Sequence, residues 1–166
     1  MSTPPILIYP DPRLRQKSKE ITDINIPDIQ EFIPLLKQVM LEKDGAGMAA
    51  PQLGNPIRML AVNEPEGAKI YINPVIHKYS LFQNSFEEGC FSVPDVFGLV
   101  RRPRSIKLSY LTETGEKIKE TVDGLLARVL QHEVDHLDGV LFIDKAYKIT
   151  TNEHLLKEMK EKVVVL

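Results

Sequence analysis

Gln131-His132-Glu133-Val134-Asp135-His136 is the stretch from which the rest of this chain is read. Two histidines four apart on an α-helix stand one turn above each other on the same face, so both imidazoles can reach one metal ion. Glu133, beside the first histidine, is placed to hold a water at that ion and accept its proton. The flanking residues predict the helix this requires, from about Gly124 to Leu137. Asp123 is its N-cap, and Gly139 lies where a C-terminal glycine belongs. On a plain amphipathic helix the same side chains would be ordinary polar groups, so the motif needs partners elsewhere.

Two histidines do not complete a catalytic site, which usually has three protein ligands and one open position. On residues alone, three sources of the third ligand stay open. A His-x-x-Gly-x-x-His continuation fits at Gly139 but meets Phe142 where a histidine is needed. Glu153 and Glu158 lie some twenty residues on, in a predicted final helix, as a small zinc endopeptidase would have them. Cys90, in Glu87-Glu88-Gly89-Cys90-Phe91-Ser92-Val93-Pro94, offers a thiolate, a good ligand for borderline or soft divalent ions. An inert buried cysteine is the commoner fate of a lone one. A nucleophilic cysteine with a histidine base is another reading, but it leaves Glu133 and the histidine pair unexplained. A structural zinc would need a fourth protein ligand, and none is evident. Ligating histidines usually donate their other N–H to a carboxylate or carbonyl, for which Asp135 and Asp138 are near in sequence.

Gly45-Ala46-Gly47-Met48-Ala49-Ala50-Pro51-Gln52-Leu53-Gly54 is a run of small residues that lets another backbone or a substrate approach closely. Gln52 is its only long polar side chain. No Lys-Ser/Thr pair follows the glycines and no strand precedes them, which argues against a phosphate loop. Gly45 to Gly47 offers an edge to which a peptide can add as a strand. Leu125, Arg128 (by its aliphatic stem) and Val129 precede His132 by one to two turns. They are candidate walls of an apolar substrate pocket or plain helix-to-core contacts.

The 166 residues are expected to form one domain, 1–166, with 43% apolar and 27% charged residues, as in a soluble globular protein. The net charge of −2, from 21 basic and 23 acidic residues, gives nucleic-acid binding no electrostatic case. Lys157 to Lys162 alternates in sign and reads as a solvated helix face. The single cysteine excludes an intrachain disulfide and suits a reducing compartment. Met1 to Pro10 shows no secretory pattern, and no apolar stretch approaches the roughly 18–20 residues of a membrane span. A cytoplasmic protein is expected.

Helical spacing of Ile29, Phe32, Ile33, Leu36, Val39 and Met40 predicts a first helix over about Asp28 to Lys43, with Pro34 kinking it or marking a late start. Strands are expected at Ile57–Val62, Lys69–Ile76 and Ile106–Leu111. A hairpin turn at Thr112 to Glu116 then leads into Lys117–Val122. An exposed helix closes the pattern at about Asn152 to Lys162. Without a βαβ rhythm the class is α+β: antiparallel or mixed sheets around the central His-Glu-x-x-His helix, with an N-terminal and a C-terminal helix. Val163-Val164-Val165-Leu166 reads as a core-docked strand or a dimer contact.

The three motif segments together resemble the bacterial peptide deformylase family. That family carries Gly-x-Gly-apolar-Ala-Ala-x-Gln, Glu-Gly-Cys-x-Ser and Gln-His-Glu-x-Asp-His in this order. Here they read Gly45 to Gln52, Glu88 to Ser92, and Gln131 to His136. Pro10-Asp11-Pro12-Arg13-Leu14-Arg15 and Leu137-Asp138-Gly139-Val140-Leu141-Phe142 also look like family sequence, so the likeness runs from about Ile6 to Asp144. The resemblance implies a hydrolase that removes the formyl group from the N-terminal formyl-methionine of polypeptides emerging from the ribosome, releasing formate.

It further implies that Cys90, His132 and His136 bind one divalent metal. In the cell this would be Fe2+, with Zn2+, Ni2+ or Co2+ as substitutes. By the same likeness Glu133 is the general acid/base, and the Gln52 side-chain amide and the Phe91 backbone N–H stabilise the oxyanion. Glu88 is expected to pair with Arg102 and, with Gly89, to count among the substrate-binding residues. Phe91 replaces a more frequent leucine, which leaves a backbone role intact. Phe97 stands in a loop where some members carry arginine, so a polar contact to the substrate peptide is not expected there.

Overall fold

A computed structural model describes residues 3–162 of the chain, so the Val163–Leu166 segment lies outside the described residues. Residues 3–11 form neither helix nor strand and lead into a 3-10 turn, Pro12–Arg15. Helix α1 follows at Pro27–Glu42. Strands β1 (Gly47–Ala49), β2 (Met59–Glu64), β3 (Gly67–Tyr79), β4 (Gln83–Cys90), β5 (Val93–Pro103), β6 (Ser105–Leu111) and β7 (Lys117–Asp123) lead to α2, Gly124–Leu137. A short α3 (Phe142–Lys145), β8 (Lys148–Thr151) and α4 (Glu153–Glu161) complete the order. The α+β class is as the sequence predicts, and every strand pair is antiparallel.

Five strands form one sheet in the order β1-β2-β3-β6-β7, and β4-β5-β8 form a second. Side chains alternate across a strand, and here both faces of the larger sheet are covered. Met59, Ala61, Ile70 and Ile72 point to the α1 side with Ile33, Leu36, Val39 and Met40. Leu60, Val62, Tyr71, Ile106, Leu108 and Tyr110 point to the α2 side. That double burial is why Met59-Leu60-Ala61-Val62 is an unbroken apolar run rather than an alternating one.

Helix α2 buries Ala127, Leu130, Val134 and Leu137, spaced three and four apart, against this sheet. Full burial of each leucine contributes about 1.5–3 kcal/mol. The opposite side of the same helix faces the β4–β5 hairpin. The helix ends as predicted, at Gly139 with φ +74°. A side chain there would also collide with the chain behind it, because a β-carbon would run into the Arg15 carbonyl oxygen. Asp123 occupies the N-cap position but makes no side-chain cap bond.

Four expectations need correction. Pro34 does not mark a late start of α1, which runs through it from Pro27. The β4–β5 hairpin and β8 were not predicted. Phe97 lies within β5, not in a loop. Helix α4 is not wholly exposed, because Leu156 packs with Val93, Val96, Val100, Leu141 and Phe142 in a third cluster.

Candidate metal centre

Cys90 closes β4, and His132 and His136 project from one face of α2. Although 46 residues apart in sequence, Cys90 Sγ and His136 Nε2 lie 3.2 Å from each other. The two imidazoles stack edge to face with ring centres 5.0 Å apart. One ligand atom from each of Cys90, His132 and His136 falls within 4.8 Å of the other two, the one such cluster among the described residues. Glu153 and Glu158 are not part of it. Glu153 pairs with Lys157 on the surface of α4, so the peptidase arrangement fails on geometry.

A carboxylate orients His132, but it is neither Asp135 nor Asp138. Glu88 Oε2 accepts from His132 Nδ1 at 3.1 Å, which leaves Nε2 free to face the centre. Asp135 binds Arg102 and Lys145 instead, and Asp138 binds Arg58. The expected Glu88–Arg102 pair is present and bidentate, at 2.6 and 2.9 Å. Burial alone would raise the Glu88 carboxyl, but the hydrogen bonds from His132 and Arg102 outweigh it and hold the group well below the usual carboxylate range. Burial also opposes a charge on His132, yet its bonds to Cys90 and Glu88 carry it well above the ordinary imidazole range. Burial, with the His132 charge nearby, holds His136 well below that range. Its Nδ1 has no hydrogen-bond partner among the described residues.

Glu133 is 4% exposed, and burial pushes its carboxyl up to about 7. Its Oε2 is buried without a partner among the described residues, an arrangement that costs free energy unless a further group supplies the hydrogen bond. Gln52, on a 3-10 turn over Ala50–Leu53, is locked in place. Its Oε1 accepts from Ala49 N at 2.9 Å, while Nε2 donates to Ser92 Oγ at 3.2 Å and to Cys90 Sγ at 3.5 Å. Ser92 was not singled out by itself, although it closes the Glu-Gly-Cys-x-Ser segment.

A cavity of about 490 Å³ opens beside this cluster. Gly45, Gly47, Gln52, Glu88, Gly89, Cys90, Phe91, Phe97, Leu125, Arg128, Val129, His132 and Glu133 all line it. β1 is an edge strand of its sheet. Leu125 is 75% exposed, so it belongs to the cavity mouth and not to the core. Val129 packs partly on the core. Arg128 is not simply an apolar wall, because its guanidinium is bound to Glu88, Val100 and Asn84. The Phe97 ring covers Gly89, where a β-carbon would come within 2.6 Å of it.

One thiol and two imidazoles within 4.8 Å of one another, beside a buried carboxyl whose Oε2 has no partner among the described residues, make a donor set that suits one divalent ion and leaves a coordination position for chemistry. An antiparallel α+β fold with a helix-borne His-Glu-x-x-His pair and a distant cysteine defines a class of single-metal hydrolase. The chain belongs to the polypeptide deformylase family, whose model matches residues 3–152. Members of that family are metal-dependent and remove N-formyl groups from new polypeptides.

The peptide deformylase of Brucella suis biovar 1 is 39% identical over 97% of this chain and 94% of its own length. Among solved structures, the Thermotoga maritima peptide deformylase superposes with a TM-score of 0.84 at 36% identity, over 88% of this chain and 99% of that one. The Met-Ala-Ser-bound class I type b peptide deformylase of Acinetobacter baumannii does so with 0.81 at 32% identity, over 87% and 98%.

Proposed function

We propose that the 1–166 chain is a one-metal deformylase that works in the cytoplasm on N-formyl-methionyl polypeptides as they leave the ribosome. Cys90, His132 and His136 hold the ion, Fe2+ in the cell, with Zn2+, Ni2+ or Co2+ able to replace it. The observation that carries this reading is the meeting of those three ligand atoms beside the unpartnered Glu133 carboxylate. A bound divalent ion supplies Lewis acidity, lowering the pKa of water at the site from about 15.7 toward about 7.

Glu133 takes a proton from the attacking water and returns it to the leaving nitrogen as the formyl C–N bond breaks, giving formate and a free amine. A carboxyl poised near neutrality suits both halves of that transfer. Gln52 Nε2 and the Phe91 backbone N–H donate to the oxygen that gains charge in the transition state. Ala49 and Ser92 fix the Gln52 amide, and the Nε2 hydrogen that points at Cys90 Sγ is the one that turns to this oxygen.

The peptide adds as a strand along Gly45 to Gly47, leading into the edge strand β1, in the cavity that Glu88 and Gly89 also line. Val129, Leu125 and the stem of Arg128 receive the methionine side chain. That the Acinetobacter baumannii peptide deformylase binds Met-Ala-Ser supports this substrate class. The test is formate release from formyl-Met-Ala-Ser and from its acetyl analogue, with the metal-loaded protein. Formate from the first and no hydrolysis of the second supports the reading; no formate from the first rejects it.

A further inference from the structure

The Glu88 carboxylate offers about four lone-pair sites, and four donors fill them. Oε1 takes Arg102 Nε at 2.6 Å and Arg128 Nη1 at 2.7 Å. Oε2 takes Arg102 Nη2 at 2.9 Å and His132 Nδ1 at 3.1 Å. Arg128 therefore supplies the last bond that fixes the plane of the carboxylate on which His132 rests.

The rest of the Arg128 guanidinium reaches into the β4–β5 hairpin. Nη2 donates to the Asn84 backbone oxygen at 2.8 Å and to Asn84 Oδ1 at 2.9 Å. Nη1 also donates to the Val100 carbonyl at 3.1 Å. The Phe86 ring packs on the guanidinium, 5.2 Å from its central carbon. Arg128 stands one helical turn before His132, and Glu88 stands two residues before Cys90. A single guanidinium, in a residue 7% exposed, thus bridges the helix bearing two ligands and the strand bearing the third.

We propose that Arg128 is a positioning residue of the metal centre: it clamps the strand that ends in Cys90 onto the helix that carries His132 and His136. This rests on the reading of those three residues as the metal ligands. The clamp needs a planar, multi-donor cation. A methionine keeps the stem but leaves Glu88 one donor short and Asn84 unheld. A lysine restores the charge but reaches Glu88 or Asn84, not both.

The test uses Arg128→Met and Arg128→Lys, loaded with Co2+, and needs no substrate. Loss of an outer partner of a metal ligand typically weakens metal binding about 10–100-fold. Arg128→Met is expected to lose cobalt to a competing chelator at least tenfold more readily than wild type, with an altered thiolate-to-cobalt absorption band. Arg128→Lys should fall between them. Arg58→Met is the control. Arg58 holds the end of the same helix through the Leu137 carbonyl and Asp138 but does not touch the hairpin. It should lower the apo-protein Tm and leave cobalt affinity and spectrum unchanged. A folded Arg128→Met with wild-type affinity and spectrum overturns the proposal. If that variant does not fold, wild-type behaviour of Arg128→Lys overturns it. Wild-type protein that binds cobalt through Cys90 yet releases no formate would reject the proposed activity and leave the clamp standing.

Discussion

Gly47 faces Glu133 so closely that a β-carbon on Gly47 would lie 2.7 Å from Oε1 and 2.8 Å from Cγ of the glutamate. The glycine is therefore a spacing requirement of the proton carrier and not only a loop residue. Gly47→Ala is expected to displace the Glu133 carboxylate by a few tenths of an ångström to an ångström. At the upper end, a misplacement of about 1 Å costs up to about 10²-fold in rate. Metal content should stay at the wild-type level. Steady-state kcat alongside metal analysis checks this, and an unchanged kcat would show that Glu133 does not need its observed position.

Glu133→Ala removes the carboxylate but none of the three ligand atoms. The expected outcome is full metal content with kcat reduced about 10²–10⁴-fold, the usual size of a general acid/base contribution. Near-normal turnover in this variant would remove Glu133 from the proton transfers.

Gln52→Ala takes away a donor aimed at the developing oxyanion and should lower kcat about 10²–10³-fold with little change in KM. It also leaves the Ala49 N–H without its side-chain acceptor, so a small fall in Tm is expected as well. A rise in KM at constant kcat would instead mark Gln52 as a ground-state binding residue.

Gly139→Ala probes the fold and not the chemistry. Its φ of +74° and the close approach of the Arg15 carbonyl both penalise a β-carbon. The backbone conformation alone costs about 1–3 kcal/mol, which for a chain of this length lowers Tm by roughly 2–12 °C, and the clash adds to it. Thermal unfolding by circular dichroism measures the loss.

Asp144 carries the pH dependence on the far side of the α2 terminus. Burial would raise its carboxyl, but Arg15 and the Leu141 N–H outweigh it and hold the group below the usual carboxylate range. A lowered native pKa stabilises the fold above the unfolded-state value and is lost as pH falls through the native one. Each partner's side chain is 37% exposed, so the stabilisation is at most about 1 kcal/mol. The stability gap between wild type and Asp144→Asn should be constant above about pH 5 and narrow below about pH 4. Urea unfolding at several pH values measures it.

How much could be read in advance varied with where each element buries its side chains. Helix α2 was legible because Ala127, Leu130, Val134 and Leu137 repeat at helical spacing and Gly139 closes it. The β2–β3 pair was legible from its apolar runs. The β4–β5 hairpin was not, because Gln83–Cys90 is mostly exposed and polar and carries a bulge between Gly89 and Cys90. In β5 the alternate positions Val96, Gly98, Val100 and Arg102 are buried, but Gly98 and Arg102 do not read as apolar, which hides the period of two. At the site, the histidine pair and Glu133 stood out from spacing alone, while Cys90 was one of three candidate third ligands until the resemblance singled it out. The support for His132 was misread as Asp135 or Asp138 because nearness in sequence stood in for nearness in space. Glu88 reaches His132 only through the antiparallel hairpin that brings β4 against α2. Arg128 looked like a pocket wall because nothing in its own helix shows that Asn84 and Glu88 lie opposite.

The most direct test of the account is X-ray absorption at the metal edge of the zinc-loaded protein. It predicts one sulfur at about 2.3 Å and two imidazole nitrogens at about 2.0–2.1 Å, with the sulfur shell absent in Cys90→Ser. A first shell of nitrogen and oxygen alone in the wild-type protein would contradict it.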